Sequence, residues 1–174
     1  MSGDDIWVFG YGSLMWRPGF PHREARPARL WGHHRALCVY SVHYRGTPER
    51  PGLVLGLDRG GSCVGRAFRV AAADADAVIA YLDGRELVTG VYRRRRLTLG
   101  LDGRRVGAIA YVADRDHPQY AGTLAPARAA AIVRAGCGTG GDNADYLART
   151  VAHLDALGIA DGPLHALLGR VAGG

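Results

Sequence analysis

Short apolar runs punctuated by Gly and Pro, with one helical stretch inserted, fill the first two thirds of the chain, and apolar residues fall at helical spacing in the last third. Ile6 to Tyr11, IWVFGY, is short, β-branched and aromatic, and glycine interrupts it, so it predicts a strand. Arg29 to Val42 predicts one longer strand or two short ones. RGTPERPG, Arg45 to Gly52, is a loop by its Pro and Gly content. LVLGL and SCVGRAFRV flank DRGG, which predicts a β-hairpin. From Asp74 to Leu87 the period changes. Val78, Ile79 and Leu82 fall on a helical stripe, an Asp can cap its start, and Gly84 predicts that the helix frays or ends there. Val91 to Val112 predicts a second hairpin, with a type I′ turn at Asp102-Gly103. Three helical segments follow. APARAAAIVRAG has Pro near its start and Gly at its end. GDNADYLARTVAHLDALG carries Leu147, Val151, Leu154 and Leu157 on one stripe, and DGPLHALLGRV makes a last short helix. Strands with one inserted helix, then a helical tail, define an α+β class whose antiparallel or mixed sheet can close into a small barrel. Without repeats or a linker, the 174 residues are expected to form a single domain, 1–174.

Composition narrows the function classes. Apolar residues make up 48% of the chain, as a globular protein requires. The net charge is +6 and all 22 basic residues are arginine. Beside 26 glycines, this pattern reflects GC-rich codon usage as much as attraction to a polyanion. In the run Arg93 to Arg96, alternate members of a strand face opposite sides, so two should turn toward whichever face is buried. A solvated edge or ion pairs fits the run better than a base-stacking surface, since Tyr92 is the one aromatic beside it; no nucleic-acid partner is expected. No apolar run approaches the roughly 20 residues a membrane helix needs, and the acidic N-terminus lacks a signal peptide's basic region. Cys38, Cys63 and Cys137 form no CxxC, so reduced, mostly buried thiols in a cytoplasmic protein are expected. The seven histidines show no HExxH or HxH spacing, and no GxSxG, GxGxxG or GK[ST] is present; no metal or cofactor is expected.

Two places carry candidate chemistry. GYGSL, where the first strand ends, can turn consecutive backbone N–H groups into one concavity that binds an anion or a polarised carbonyl, with the Ser13 hydroxyl beside them. The plainer alternative is a tight turn that needs glycine for a positive φ. Glu86, in YLDGREL, leaves the predicted helix among apolar residues and can be a general base of raised pKa. Its plainer alternative is a solvated carboxylate beside Arg85.

Taken in order, VFGYGSLMW, RGTPERPG, YLDGRE with GVYR, HPQYAG and NADYL resemble the ChaC-like proteins, the glutathione-specific γ-glutamylcyclotransferases once called cation transport regulators. The resemblance runs from about Trp7 to near the C-terminus. It implies the γ-glutamylcyclotransferase-like fold, a small mixed barrel-like sheet with flanking helices. It implies that the α-amine of a γ-glutamyl group attacks its own γ-carbonyl, so that glutathione yields 5-oxoproline and Cys-Gly without a metal, cofactor or obligate protein partner. Glu86 is then the acid/base, and Tyr11, Gly12, Ser13 and Leu14 bind the γ-glutamyl unit. Tyr92 and Tyr146 are further substrate contacts, and Arg45 is a candidate for an anion-attracting mouth. Related cyclotransferases acting on other γ-glutamyl compounds, and a non-catalytic regulatory protein, are the alternatives.

Overall fold

A computed structural model describes residues 3–173, and its chain segregates into two compact units. The first runs through Arg35 and resumes over Leu57–Asp114; the second is formed by Ala36–Gly56 and the chain from Arg115 onward.

The first unit contains β1 (Ile6–Gly10), the opening part of β2 (Glu24–Ser41), most of β3 (Gly52–Val70), α1 (Ala75–Glu86), β4 (Tyr92–Leu101) and β5 (Arg104–Ala113). The strands close into a barrel in the order β1-β3-β2-β4-β5. β1 pairs antiparallel with β3, from Ile6 opposite Val70 to Gly10 opposite Arg66, and meets β5 in parallel at Val8 opposite Ile109. β4 and β5 form the hairpin expected from the sequence, with Asp102 at φ 50° and Gly103 at φ 77°, the left-handed pair that a type I′ turn requires. Val8, Phe68 and Val70 pack with Phe20, Val78, Leu82 and Tyr111 into one core. Val78 and Leu82, four residues apart, place one face of α1 on it.

Four expectations are corrected here. DRGG is not a turn: β3 runs unbroken from Gly52 to Val70. Gly60 and Gly61 do take positive φ, 102° and 64°, but they bend the strand, and the Gly60 carbonyl hydrogen-bonds His34 Nδ1 at 2.8 Å. A left-handed glycine serves a turn or a bulge equally well, and pairing with the neighbouring strand decides which. α1 continues past Gly84 to Glu86. A helical glycine costs only about 1 kcal/mol, too little to end a helix held by tertiary contacts. Arg93 to Arg96 are all exposed rather than alternately buried, and Arg93 pairs with Asp114 while Arg94 pairs with Asp83. Long arginine stems bring their charged ends back to water from either strand face. β2 is one strand and begins five residues earlier than the pattern indicates, because Pro27 disguises its start.

The second unit contains the end of β2, the start of β3, α2 (Pro126–Ala135), a small hairpin of Cys137–Gly138 with Gly141–Asp142, α3 (Asn143–Ala156) and α4 (Gly162–Gly173). α2 opens on Pro126 and stops at Gly136, as expected. Leu147, Val151 and Leu154 of α3 are buried, with Ala129, Ala130 and Val133 of α2 and Leu164 and Leu167 of α4. Asn143, wholly buried, accepts a hydrogen bond from Leu53 N and donates one to Leu53 O, both at 2.8 Å. It clamps the start of α3 to β3. Among the described residues no helix is long and apolar enough to cross a membrane, and no three metal-ligating side chains gather.

Candidate active site

β1 ends at Gly10, and the chain folds back in a single turn over Ser13–Met15, closed by Met15 N–H on Gly12 O at 2.9 Å and Arg17 N–H on Ser13 O at 2.7 Å. Leu14 and Met15 are buried and anchor it, while Ser13 is exposed. A Cβ at Gly10 would stand 3.1 Å from Leu14 Cβ and 3.3 Å from Met15 N. Neither Gly10 nor Gly12 has a positive φ, so at Gly10 glycine serves close approach and not a left-handed turn. The Tyr11 carbonyl accepts a hydrogen bond from Arg35 Nε at 2.6 Å, and Arg35 Nη2 reaches Val64 O at 2.7 Å. Across a trans peptide, a carbonyl held on one side turns the next N–H, that of Gly12, to the other. The amides of Ser13 and Leu14 open the turn, where a helical ladder offers them no acceptor.

Glu86 is the last residue of α1, and its side chain is 18% exposed. Burial pushes its carboxyl above the ordinary carboxylate range, and the Arg85 guanidinium draws it partly back. Arg85 joins the helix end to the turn. Nη2 donates to Ser13 Oγ at 2.9 Å, Nη1 donates to Arg17 O at 2.9 Å, and Nε lies 3.6 Å from Glu86 Oε1. Ser13 and Glu86 therefore flank one planar cation. Tyr111 of β5, almost fully buried, donates its hydroxyl to Asp83 Oδ1 at 2.8 Å. Burial, with Asp83 and Glu86 nearby, keeps that phenol protonated far above neutrality. Tyr92, half-buried at the start of β4, packs on the core beside Leu87 and Ile109.

Tyr11, Gly12, Ser13, Leu14, Glu86 and Tyr92 thus belong to the first unit, whereas Tyr146 and Arg45 belong to the second. The Tyr146 hydroxyl accepts from Leu55 N at 2.9 Å, and burial pushes its pKa up to about 12. The Tyr146 ring lies 5.5 Å from the Arg45 guanidinium, which the Tyr44 ring approaches to 5.1 Å. Arg45 is 7% exposed and donates to Asp142 O at 3.1 Å, so it is packed into its unit and is not a solvated mouth residue. Sequence reasoning missed Arg85, Arg35 and Tyr111. Arg85, next to Glu86, reads from sequence only as its solvent-side neighbour. Nothing local in HHRAL or AIAYV marks the other two.

A raised carboxyl and a hydroxyl that share one guanidinium, with the amides that open the turn, can accept a proton, return it, and steady negative charge on an oxygen. The family model for ChaC-like protein matches residues 6–173. The chain is 38% identical over 164 residues to the glutathione-specific γ-glutamylcyclotransferase of Escherichia coli K12, covering 94% of this chain and 71% of that protein. It is 35% identical over 150 residues to the human glutathione-specific γ-glutamylcyclotransferase 1, covering 83% and 67%. Among solved structures, a yeast γ-glutamyl cyclotransferase specific to glutathione superposes with a TM-score of 0.85 at 22% identity, over 98% of this chain and 96% of that one.

Proposed function

The chain belongs to the ChaC-like protein family, and from that premise we propose that it cyclises the γ-glutamyl group of glutathione, with Glu86 as the acid/base. It is an enzyme of the γ-glutamylcyclotransferase kind, cleaving glutathione to 5-oxoproline and Cys-Gly. The observation that carries the assignment of Glu86 is its raised, largely buried carboxyl, set with Ser13 against the Arg85 guanidinium.

The substrate brings its own nucleophile. Its α-amine titrates near 8 or above, so at neutral pH it arrives mostly as an ammonium ion. The Glu86 carboxylate attracts that cation and takes one proton. The freed amine attacks the γ-carbonyl carbon, a C–N bond forms, and the carbonyl oxygen becomes an oxyanion. The amides of Gly12 to Leu14 and the Ser13 hydroxyl are the donors for that oxygen or for the α-carboxylate. Collapse breaks the γ-amide C–N bond as protonated Glu86 gives its proton to the departing nitrogen; the ring nitrogen then sheds its second proton through Glu86 to that same amine, so the lactam keeps one N–H and Cys-Gly leaves as an ammonium ion. Atoms balance without water. Because attack is intramolecular, most of the gain comes from holding the chain folded on itself. Tyr92 is proposed to line the γ-glutamyl site. Cys38, Cys63 and Cys137 as reduced thiols suit a reducing cytoplasm, where the substrate is also found reduced.

Purified protein incubated with glutathione should release 5-oxoproline and Cys-Gly in equal amounts. γ-Glutamyl-alanine, assayed in parallel, should react far more slowly. Faster turnover of γ-glutamyl-alanine would reassign the substrate to other γ-glutamyl compounds, and no product from either would leave a binding protein.

A further inference from the structure

We propose that Arg85 is a positioning residue for the cyclisation: its guanidinium fixes Ser13 as a hydrogen-bond donor to the substrate and holds that hydroxyl beside the Glu86 carboxylate. The inference deepens the reading of Glu86 as acid/base and rests on it for its pH arm.

A guanidinium has donors and no acceptor. When Arg85 Nη2 donates to Ser13 Oγ at 2.9 Å, the Ser13 proton must point elsewhere. Ser13 is exposed, so that proton is presented to whatever enters. The plane of the guanidinium is fixed independently, because Nη1 meets Arg17 O at 2.9 Å and the Tyr81 hydroxyl at 3.3 Å. Arg85 Nε stands 3.6 Å from Glu86 Oε1, too far for a hydrogen bond yet near enough for attraction. Glu86 therefore keeps its lone pairs for the substrate ammonium while feeling a positive charge. The other groups around this helix end are Asp83 on α1, which pairs with Arg94 of β4, and the Tyr111 hydroxyl of β5, which donates to Asp83. Of these, Arg85 is the cation that draws the Glu86 carboxyl down.

The test uses the full chain with Arg85→Gln, Arg85→Lys, Ser13→Ala and the double variant Arg85→Gln/Ser13→Ala, with kcat and KM for glutathione followed across pH. Arg85→Gln should move the acid limb of kcat to higher pH, since the charge that favours ionised Glu86 is gone. It should also raise KM about tenfold, the scale of one lost hydrogen bond to substrate. Ser13→Ala should raise KM similarly without moving the limb, and the double variant should have the KM of a single one, because both remove the same interaction. Arg85→Lys keeps the charge but cannot span the partners, so its limb should stay in place while KM rises. An acid limb unmoved in Arg85→Gln, or KM effects that multiply in the double variant, would overturn the proposal. If Arg85→Gln does not fold, Arg85→Lys decides, and a KM equal to the native one overturns it. The two readings fail separately: activity in Glu86→Gln sinks the acid/base assignment, whereas KM effects that multiply in the double variant sink the positioning role of Arg85 even if Glu86→Gln is dead.

Discussion

Glu86→Gln should separate catalysis from stability, and the structure sets the sign of both. The amide has the shape of the acid but cannot take the substrate's proton. General-base catalysis is worth about 10²–10⁴-fold, which is about 2.7–5.4 kcal/mol of barrier. The stability effect runs the other way. Burial raises the folded-state pKa of Glu86 above its unfolded value. A group raised in this way contributes stability that is fully present below its unfolded pKa and is lost as pH rises through the folded one. The native protein loses that contribution as pH rises through the folded pKa, whereas glutamine has nothing to ionise. Glu86→Gln should therefore melt at the same temperature as the native chain or higher at neutral pH, and the difference should close on acidification. The assay pairs a thermal melt at several pH values with 5-oxoproline release by the same preparations. A variant keeping more than a tenth of the native rate would refute the catalytic role. A variant whose melting temperature falls along with its activity would refute the argument from burial, because the carboxylate would then be holding the fold.

Other substitutions probe the scaffold. Asn143→Ala removes both partners of the buried Leu53 peptide groups, and unfolding in urea should show a loss of about 2–6 kcal/mol at about 1–3 per stranded group. Tyr146→Phe leaves Leu55 N–H without its acceptor and should cost about 1–3 kcal/mol in the same assay. Gly65→Ala would place a methyl 2.3 Å from Gly10 O and 2.7 Å from Phe9 Cζ. It should lower the melting temperature and, by displacing the strand end that carries the turn, raise KM for glutathione. Leu82→Ala empties a fully buried site on the core face of α1 and should cost about 2–5 kcal/mol by denaturant titration.

The α+β class and the Asp102-Gly103 hairpin were legible because local chemistry dictates them: alternation for strands, a glycine that accepts positive φ, proline at a helix start. Glu86 and GYGSL each have a plainer local reading, a solvated carboxylate and a tight turn, and it is the resemblance carried by the whole order of motifs that singles them out. What stayed hidden depends on partners distant in sequence. DRGG reads as a reversal until β2 lies beside it, because Gly60 and Gly61 have the same dihedral freedom in a bulge as in a turn. Gly84 reads as a stop until Val78 and Leu82 are seen held in the core. Arg85 reads as a surface charge until the turn 72 positions earlier offers it Ser13. Arg45, placed at an entrance by its loop, is instead packed between two tyrosine rings.

The parallel seam of Val8 with Ile109 fastens one of the earliest segments to one of the last strands of its unit. During synthesis Ile6–Gly10 leaves the ribosome about a hundred residues before that partner exists, at roughly 5–20 residues per second. For several seconds an aromatic strand has no neighbour on one flank. Once the ring of strands is joined, each of the five has a neighbour on both flanks, which shortens the open edge that could recruit a second chain. The hazard of strand-to-strand aggregation is therefore greatest in the nascent molecule.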